Sequence, residues 1–286
     1  MLVYGFINSA ILVLLTLGFN LTFGISRIAN FSYGAIYVLS GFVLWIFLNK
    51  LHLPFSLSFL LVLLIMGVGS TLFYSLFLKR IRGLVISEVI ATFSLGIVIL
   101  EFLRFVGFIG FEFSLPVLIK DSVKIMGTYV DLQRLFILLF MAVLLLLLYL
   151  FTHHTKIGLA FRGIAQEEHT SLSLGINPDR IAALSMGLGA ALGSFASILL
   201  LPLGTISVDE GYDVLIKVLS VCIVGGLGSN LGILFASLII GFAQTFTAFY
   251  ISPHWTVIAS FLAIIFILAI KPSGIFGHQK ELEERV

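Results

Sequence analysis

The chain has 286 residues, 60% of them apolar and only 10% charged, with a formal net charge of +2 and a single cysteine, Cys222. Soluble domains carry about 25% charged residues, so the composition excludes a water-soluble globular protein. The near-neutral balance carries no nucleic-acid footprint, and a lone cysteine cannot form an intrachain disulfide.

A membrane-crossing helix needs about 20 mostly apolar residues, and in lipid the backbone must satisfy its own hydrogen bonds. Nine apolar segments answer that description: 2–23, 33–48, 55–78, 84–103, 133–151, 181–201, 213–227, 231–250 and 255–270. Runs such as "LFILLFMAVLLLLLYLF" (residues 135–151) lack the alternation of a transmembrane barrel strand. The expected fold is therefore all-α and polytopic, with eight or nine transmembrane helices, some of them broken or re-entrant. No stretch between the segments is long enough for a soluble domain, so residues 1–286 read as one transmembrane domain.

The first segment lacks the basic flank and cleavage site of a signal peptide and reads as a retained span. It is followed by "RIANFSYGAIYV" (residues 27–38), where Asn30, Ser32, Tyr33 and Gly34 interrupt two apolar runs. Spacing allows two readings: a tight cytoplasmic turn, or a broken helix at membrane depth whose polar groups meet protein or a water-lined path. Farther along, Glu88 opens the fourth segment, where a helix N-terminus favours an anion, and it could pair with Arg82. Glu101 and Arg104, three residues apart, read as an ion pair.

The loop 104–132 is mixed and is expected to cap the mouth of the protein. The loop 152–180 is the most polar internal stretch and is expected to hold one or two short extramembrane helices. Phe161, Ile164, Ala165, Leu172 and Leu174 would line one side, and Gly175 and Pro178 would stop the run. His153 and His154 lack a third ligand for a metal. Lys217 lies within a span four residues after Asp213, and a structural pair between them is expected ahead of a substrate contact. "GGLGSNLGI" (residues 225–233) reads as the counterpart of the first interruption.

Orientation follows from Lys and Arg in the short loops. With the N-terminus outside, the inner loops hold Arg27; Lys79, Arg80 and Arg82; Lys156, Arg162 and Arg180; and Lys271, Lys280 and Arg285. The outer side holds Lys50, Arg104, Lys120, Lys124 and Arg134. The inner excess places the N-terminus outside and the C-terminus in the cytoplasm.

Four stretches resemble, in order, the signatures of the permease subunits of branched-chain amino-acid ABC importers, the LivH/LivM group, with the shorter chain more like LivH. "GFNLTFGISRIANFSYGAIYVLSG" is similar to the first, with Tyr33 where the group usually has His. "TKIGLAFRGIAQEEHTSLSLGINPDRI" resembles its cytoplasmic coupling segment. "GYDVLIKVLSVCIVGGLGSNLGILFASLIIGF" and "KPSGIFG" resemble the last two. The resemblance implies a multi-pass subunit of a bacterial or archaeal inner membrane that forms a pair with a paralogue or a second copy of itself. Two cytoplasmic ATP-binding subunits would dock on it, and an external substrate-binding protein would supply it.

It further implies ATPase coupling through Gly158, Arg162, Glu167, Glu168, Gly175 and Asn177. A substrate pathway would border Asn30, Ser32, Tyr33, Gly34, Gly225, Gly226, Ser229 and Asn230. Branched-chain amino acids are the implied cargo, with urea, short amides or aromatic acids as alternatives carried by similar permeases.

No phosphate-cradling loop ending in Lys-Ser/Thr occurs and no catalytic constellation is visible, so the chain is expected to be neither an ATPase nor another enzyme, and to need no cofactor or metal. The rival class, a self-sufficient secondary transporter or channel, commonly places coupling acids deep in several spans; these spans hold almost none.

Overall fold

A computed structural model of the protein describes residues 1–107, 115–116, 121–125, 128–204 and 206–277. Each of the nine apolar segments is a helix. The chain runs through α1 (Leu2–Ser26), α2 (Tyr33–Asn49) and α3 (Phe55–Phe73), which continues through a π turn (Tyr74–Leu78) into α4 (Lys79–Ile81). Then come α5 (Val85–Phe105), a β-hairpin of β1 (Ser122–Ile125) and β2 (Thr128–Asp131), and α6 (Leu132–His154). Two short helices, α7 (Lys156–Gln166) and α8 (Glu168–Ser173), precede α9 (Pro178–Leu200), α10 (Glu210–Gly225), α11 (Asn230–Tyr250) and α12 (Thr256–Ile270).

Six of these rods are long and apolar enough to cross a membrane: α1, the continuous α3–α4 rod, α5, α6, α9 with its closing turn, and α11. The apolar helices α2 and α12 have 17 and 15 residues, and α10 has 16. The result is the all-α, polytopic architecture expected from composition. The antiparallel hairpin, with Ser122 opposite Asp131, was not foreseen. It belongs to the loop expected to cap the mouth, and the Tyr4 hydroxyl donates to the Tyr129 carbonyl at 2.9 Å, which seats it at the N-terminal end of α1. Most of the remainder of that loop, Lys120 included, lies outside the described residues.

α1 runs through the centre, packed against α9, α11, α6 and α10. Leu12, Leu14, Leu15 and Phe19 on it are all buried. Helices in hydrocarbon gain little by burying apolar surface against one another, so close backbone approach and van der Waals fit must hold them together. The contacts show how. Gly18 lies against the Gly189 carbonyl of α9, and the Tyr33 ring fits into the space beside Gly18 and Gly193. Gly34 on α2 meets the Gly211 carbonyl of α10 with no room for a Cβ. Ser and Thr hydroxyls along these seams return to the carbonyl four residues back, as Thr22 does to Gly18 and Ser194 to Ala190. The faces turned away from the centre are apolar, with Leu64 on α3, Leu146 on α6 and Phe266 on α12 all exposed, as a hydrocarbon-facing surface requires.

Two charge pairings differ from expectation. Lys217 faces Glu210 at 3.7 Å, two turns back on α10, rather than Asp213. Glu88 accepts from the Gly83 backbone N–H at 2.8 Å and caps the turn before α5, because Arg82 is engaged elsewhere. The Glu101–Arg104 pair forms at 2.6 Å, and Arg104 also reaches Asp209.

Candidate translocation and coupling sites

The first interruption begins where α1 stops. Arg27 takes a left-handed conformation, φ 55°, and its N–H closes the helix on the Phe23 carbonyl. Asn30 then forms a local turn: its Oδ1 accepts from the Ser32 N–H at 3.1 Å and from the Ser32 hydroxyl. A short polar side chain that bonds two residues ahead is the standard competitor to helix, and it explains why the chain breaks here and restarts at Tyr33. The Tyr33 hydroxyl donates to the Leu15 carbonyl at 2.8 Å, and its ring meets Phe19 edge-on. Asn30, Ser32 and Tyr33 are all buried, and their polar groups are answered by this chain's own atoms.

The second interruption follows α10. Gly226 and Gly228 have φ of 95° and 82°, which only glycine adopts at little cost, and the Ser229 hydroxyl accepts from the Gly232 N–H at 3.0 Å to start α11. Three elements hold this break. Gly225 packs on the Gly232 backbone. Asn20, buried on α1, takes the Gly228 N–H on its Oδ1 at 2.9 Å and donates to the Asn230 Oδ1 at 3.0 Å. The "KPSGIFG" stretch supplies the rest: the Ile275 and Phe276 N–H groups donate to the Val224 and Gly225 carbonyls at 2.9 and 3.0 Å. The Phe276 ring stacks on Phe235, centroids 5.2 Å apart. The last carbonyls of α10, which a helix leaves unpaired, are thereby satisfied from outside it. Gly24, two residues before the end of α1, packs directly on Gly228, so both breaks adjoin the C-terminal end of α1.

Asn20 was not foreseen, because a single amide in a long apolar run gives no pattern and its partners lie more than 200 residues away. Asn20→Leu should lower stability by about 1–3 kcal/mol, since the Gly228 N–H is left without its acceptor. A fall of several degrees in the thermal midpoint of the detergent-solubilised protein would report it; an unchanged midpoint would show that the clamp is dispensable.

At the same end, α7 and α8 form the expected pair of short helices. Thr155 caps α7 by accepting from the Gly158 N–H at 2.9 Å, and Gly158 itself lies hard against the Phe151 carbonyl. Phe161 and Ile164 are buried as expected, but Leu172 and Leu174 are exposed, and Ser171 takes the inner place instead. Glu167 is the boundary residue between α7 and α8. Gly175 has φ 82° with open space around it. Asn177 caps α9, its Oδ1 accepting from the Asp179 and Arg180 N–H groups at 3.0 and 3.3 Å. Among the described residues, the buried Arg162 Nε has no hydrogen-bond partner.

Arg82, which the sequence offered as a partner for Glu88, pairs with two other carboxylates instead. Its guanidinium forks between Asp179 at the start of α9 and Glu168 on α8, each at 2.8 Å. Lys79 adds a looser contact to Asp179 at 3.6 Å, and the Tyr74 hydroxyl donates to the same carboxylate at 3.4 Å. Burial opposes the Arg82 charge, but the Asp179 hydrogen bond and the Glu168 charge more than offset it and raise its pKa above the ordinary arginine value. The fork ties α8 and α9 to the turn between α4 and α5.

At the opposite end of α1 lies a cavity of about 800 Å³. Tyr4, Asn8, Tyr37, Glu210, Lys217 and Gln244 are its principal polar lining, and Ile11, Leu15 and Val214 are among its apolar walls. Tyr37 follows Tyr33 by one helical turn, and Leu15, whose carbonyl Tyr33 holds, lines the cavity directly. Of the expected pathway residues, Asn30, Ser32, Tyr33 and Gly34 gather at the first break and Gly225, Gly226, Ser229 and Asn230 at the second; none of them lines this cavity.

Comparison with known proteins gives one consistent picture. Residues 1–268 match the family model described as the permease component of branched-chain amino acid transport systems. The chain is 25% identical to the high-affinity branched-chain amino acid transport system permease protein BraD of Pseudomonas aeruginosa, covering 97% of this chain and 95% of that one. It is 26% identical to the corresponding LivH of Salmonella typhimurium, covering 93% and 91%. It is 28% identical to a probable branched-chain amino acid transport permease protein LivH of Methanocaldococcus jannaschii, covering 95% and 90%. No solved structure matches.

Proposed function

We propose a function from one premise: this chain belongs to the family of permease components of branched-chain amino acid transport systems. It is a multi-pass membrane transport subunit, and the reading is that it serves an ATP-driven importer whose cargo is a branched-chain amino acid. The observation that carries this is the match along residues 1–268, with relatives of the same description spanning more than nine-tenths of the chain. ATP hydrolysis would then occur on two separate cytoplasmic subunits. An external binding protein would supply the cargo, and a second permease subunit, a paralogue or another copy, would complete the membrane part.

The coupling surface in this reading is α7–α8 with the Gly175 turn. Leu159, Leu172 and Leu174 are exposed there, and a docked subunit would cover them. Arg162, only partly exposed on α7, would lie at the edge of that contact. The two breaks beside the C-terminal end of α1 would form the inner part of the pathway, moving when the coupling helices move. Co-expression with the cognate ATPase subunits tests this. Co-purification, together with ATP- and binding-protein-dependent leucine uptake in proteoliposomes, is the expected result. Leucine uptake by this chain alone, without ATP, would overturn it in favour of a secondary transporter.

In the same reading the N-terminus, the β-hairpin and the cavity face outward, and α7, α8 and the "KPSGIFG" stretch face the cytoplasm, as the Lys and Arg distribution favours. Single cysteines at Lys124 and His154, in a Cys222→Ser background, test it. An impermeant thiol reagent added to intact cells should label position 124 and spare 154, and the reverse pattern would invert the topology.

A further inference from the structure

We infer that the cavity at the N-terminal end of α1 is a zwitterion site: a receiving site within a single permease subunit for the α-ammonium, α-carboxylate and aliphatic side chain of one amino acid. This rests on the importer reading above and names where, in this chain, the cargo is held.

The evidence is the kind of ion pair the cavity contains. Elsewhere Arg82 holds two carboxylates at 2.8 Å each and Arg104 two others at 2.6 Å each; the comparably wide Lys79–Asp179 contact, at 3.6 Å, is a second contact to a carboxylate that Arg82 already holds. Glu210 and Lys217 stand 3.7 Å apart, wider than a good charge-assisted hydrogen bond. About a third of each side chain remains accessible, and both line the cavity wall. The two charges lie two turns apart on α10, one above the other, so a ligand can approach both from the same side.

A ligand of single charge would satisfy one of these groups and strip the other of its partner. A zwitterion exchanges the pair for two new pairs, carboxylate to Lys217 and ammonium to Glu210, with no net charge taken into the membrane.

The remaining lining fits the rest of such a molecule. Ile11, Leu15 and Val214 offer a branched apolar wall to an aliphatic side chain. On the other side, the amides are locked among themselves: Asn8 donates to Gln244 at 3.1 Å and to the Gly241 carbonyl at 3.2 Å, and Gln244 donates to Ser260 at 2.7 Å. The amide donors of Asn8 and Gln244 are thus engaged within the protein. Arg134, also on the lining, is turned to Asp131 at 3.3 Å and over the Tyr4 ring, which leaves Lys217 as the cation facing Glu210.

The test uses the assembled transporter in proteoliposomes without binding protein. Thr245 lines the cavity from α11. Thr245→Cys is placed in a Cys222→Ser background, and its modification by an impermeant thiol reagent is timed. Saturating L-leucine should slow modification about tenfold, while isocaproate, lacking the ammonium, and isoamylamine, lacking the carboxylate, should leave it unchanged. Adding Lys217→Gln should abolish the protection by leucine.

No protection by leucine, equal protection by all three compounds, or undiminished protection in the Lys217→Gln protein would each overturn the site. Leucine uptake is measured in parallel vesicles of the unsubstituted transporter after binding protein and ATP are added. Uptake without protection removes the cavity site and leaves the importer reading intact; absence of uptake removes both.

Discussion

Gly34→Val is expected to leave no folded permease in the membrane. A Cβ at position 34 falls on the Gly211 carbonyl, with the Leu215 Cβ next in reach. Both obstacles belong to the body of α10, so no flexible side chain can swing aside. α2 and α10 would have to separate along their length. Overpacking a rigid core costs about 1–3 kcal/mol where neighbours can adjust, and here the neighbour is backbone. Gly69→Val is the control, since a Cβ there meets nothing within 4 Å. Size-exclusion profiles of detergent extracts should show a monodisperse Gly69→Val peak and none for Gly34→Val. A normal Gly34→Val peak would mean the α2–α10 seam is looser than its geometry.

The second large effect concerns transport rather than folding. Arg82→Ala should reduce ATP-driven uptake by at least about tenfold while the ATPase subunits still co-purify. Hydrogen bonds to charged groups contribute about 1.5–3 kcal/mol, and this side chain makes two to different helices. Without it Asp179 keeps only Lys79 and Tyr74, and Glu168 loses its guanidinium partner. α8 can then shift without moving the α4–α5 turn. Arg82→Lys should rescue poorly, because one ammonium cannot hold two carboxylates in the planar geometry of a guanidinium fork. Uptake at the unsubstituted rate in the Arg82→Ala protein would show that coupling takes another route.

Much of the architecture could be read from the sequence because lipid leaves few choices. A run such as 135–151 can only be a helix, and α6 follows it closely. The polar interruption at Asn30 marked the boundary between α1 and α2, since the Asn30–Ser32 turn is local and its chemistry lies within three residues. The same holds for Asn177 before α9 and for the left-handed glycine at 175.

What the sequence could not give is long-range pairing. Lys217 has Asp213 at helical spacing, yet the side chains meet at Glu210 instead; periodicity places residues on a face without saying which pair closes. Arg82 had Glu88 within reach in sequence, yet its partners lie on α8 and at the start of α9. Leu172 and Leu174 continued an apolar pattern, but α8 turns Ser171 inward and Leu172 outward, and the chain leaves the helix after Ser173 with Leu174 exposed. The hairpin at 122–131 is too short to announce itself: Ser122–Ile125 alternates polar and apolar over only four residues, and Thr128–Asp131 does not continue the alternation.

The capping of α10 by residues 275 and 276 carries a consequence for the order of events during synthesis. The carbonyls of Val224 and Gly225 emerge some 50 residues before the N–H groups that satisfy them, and α11 and α12 must be made in between. A chain emerges N-terminal end first, so every nascent form shorter than this contact carries an α10 with its end undone and the Phe235 face uncovered. A chain cut short anywhere after Gly225 but before Ile275 therefore lacks both donors, and the end of α10 beside the break stays without this strap.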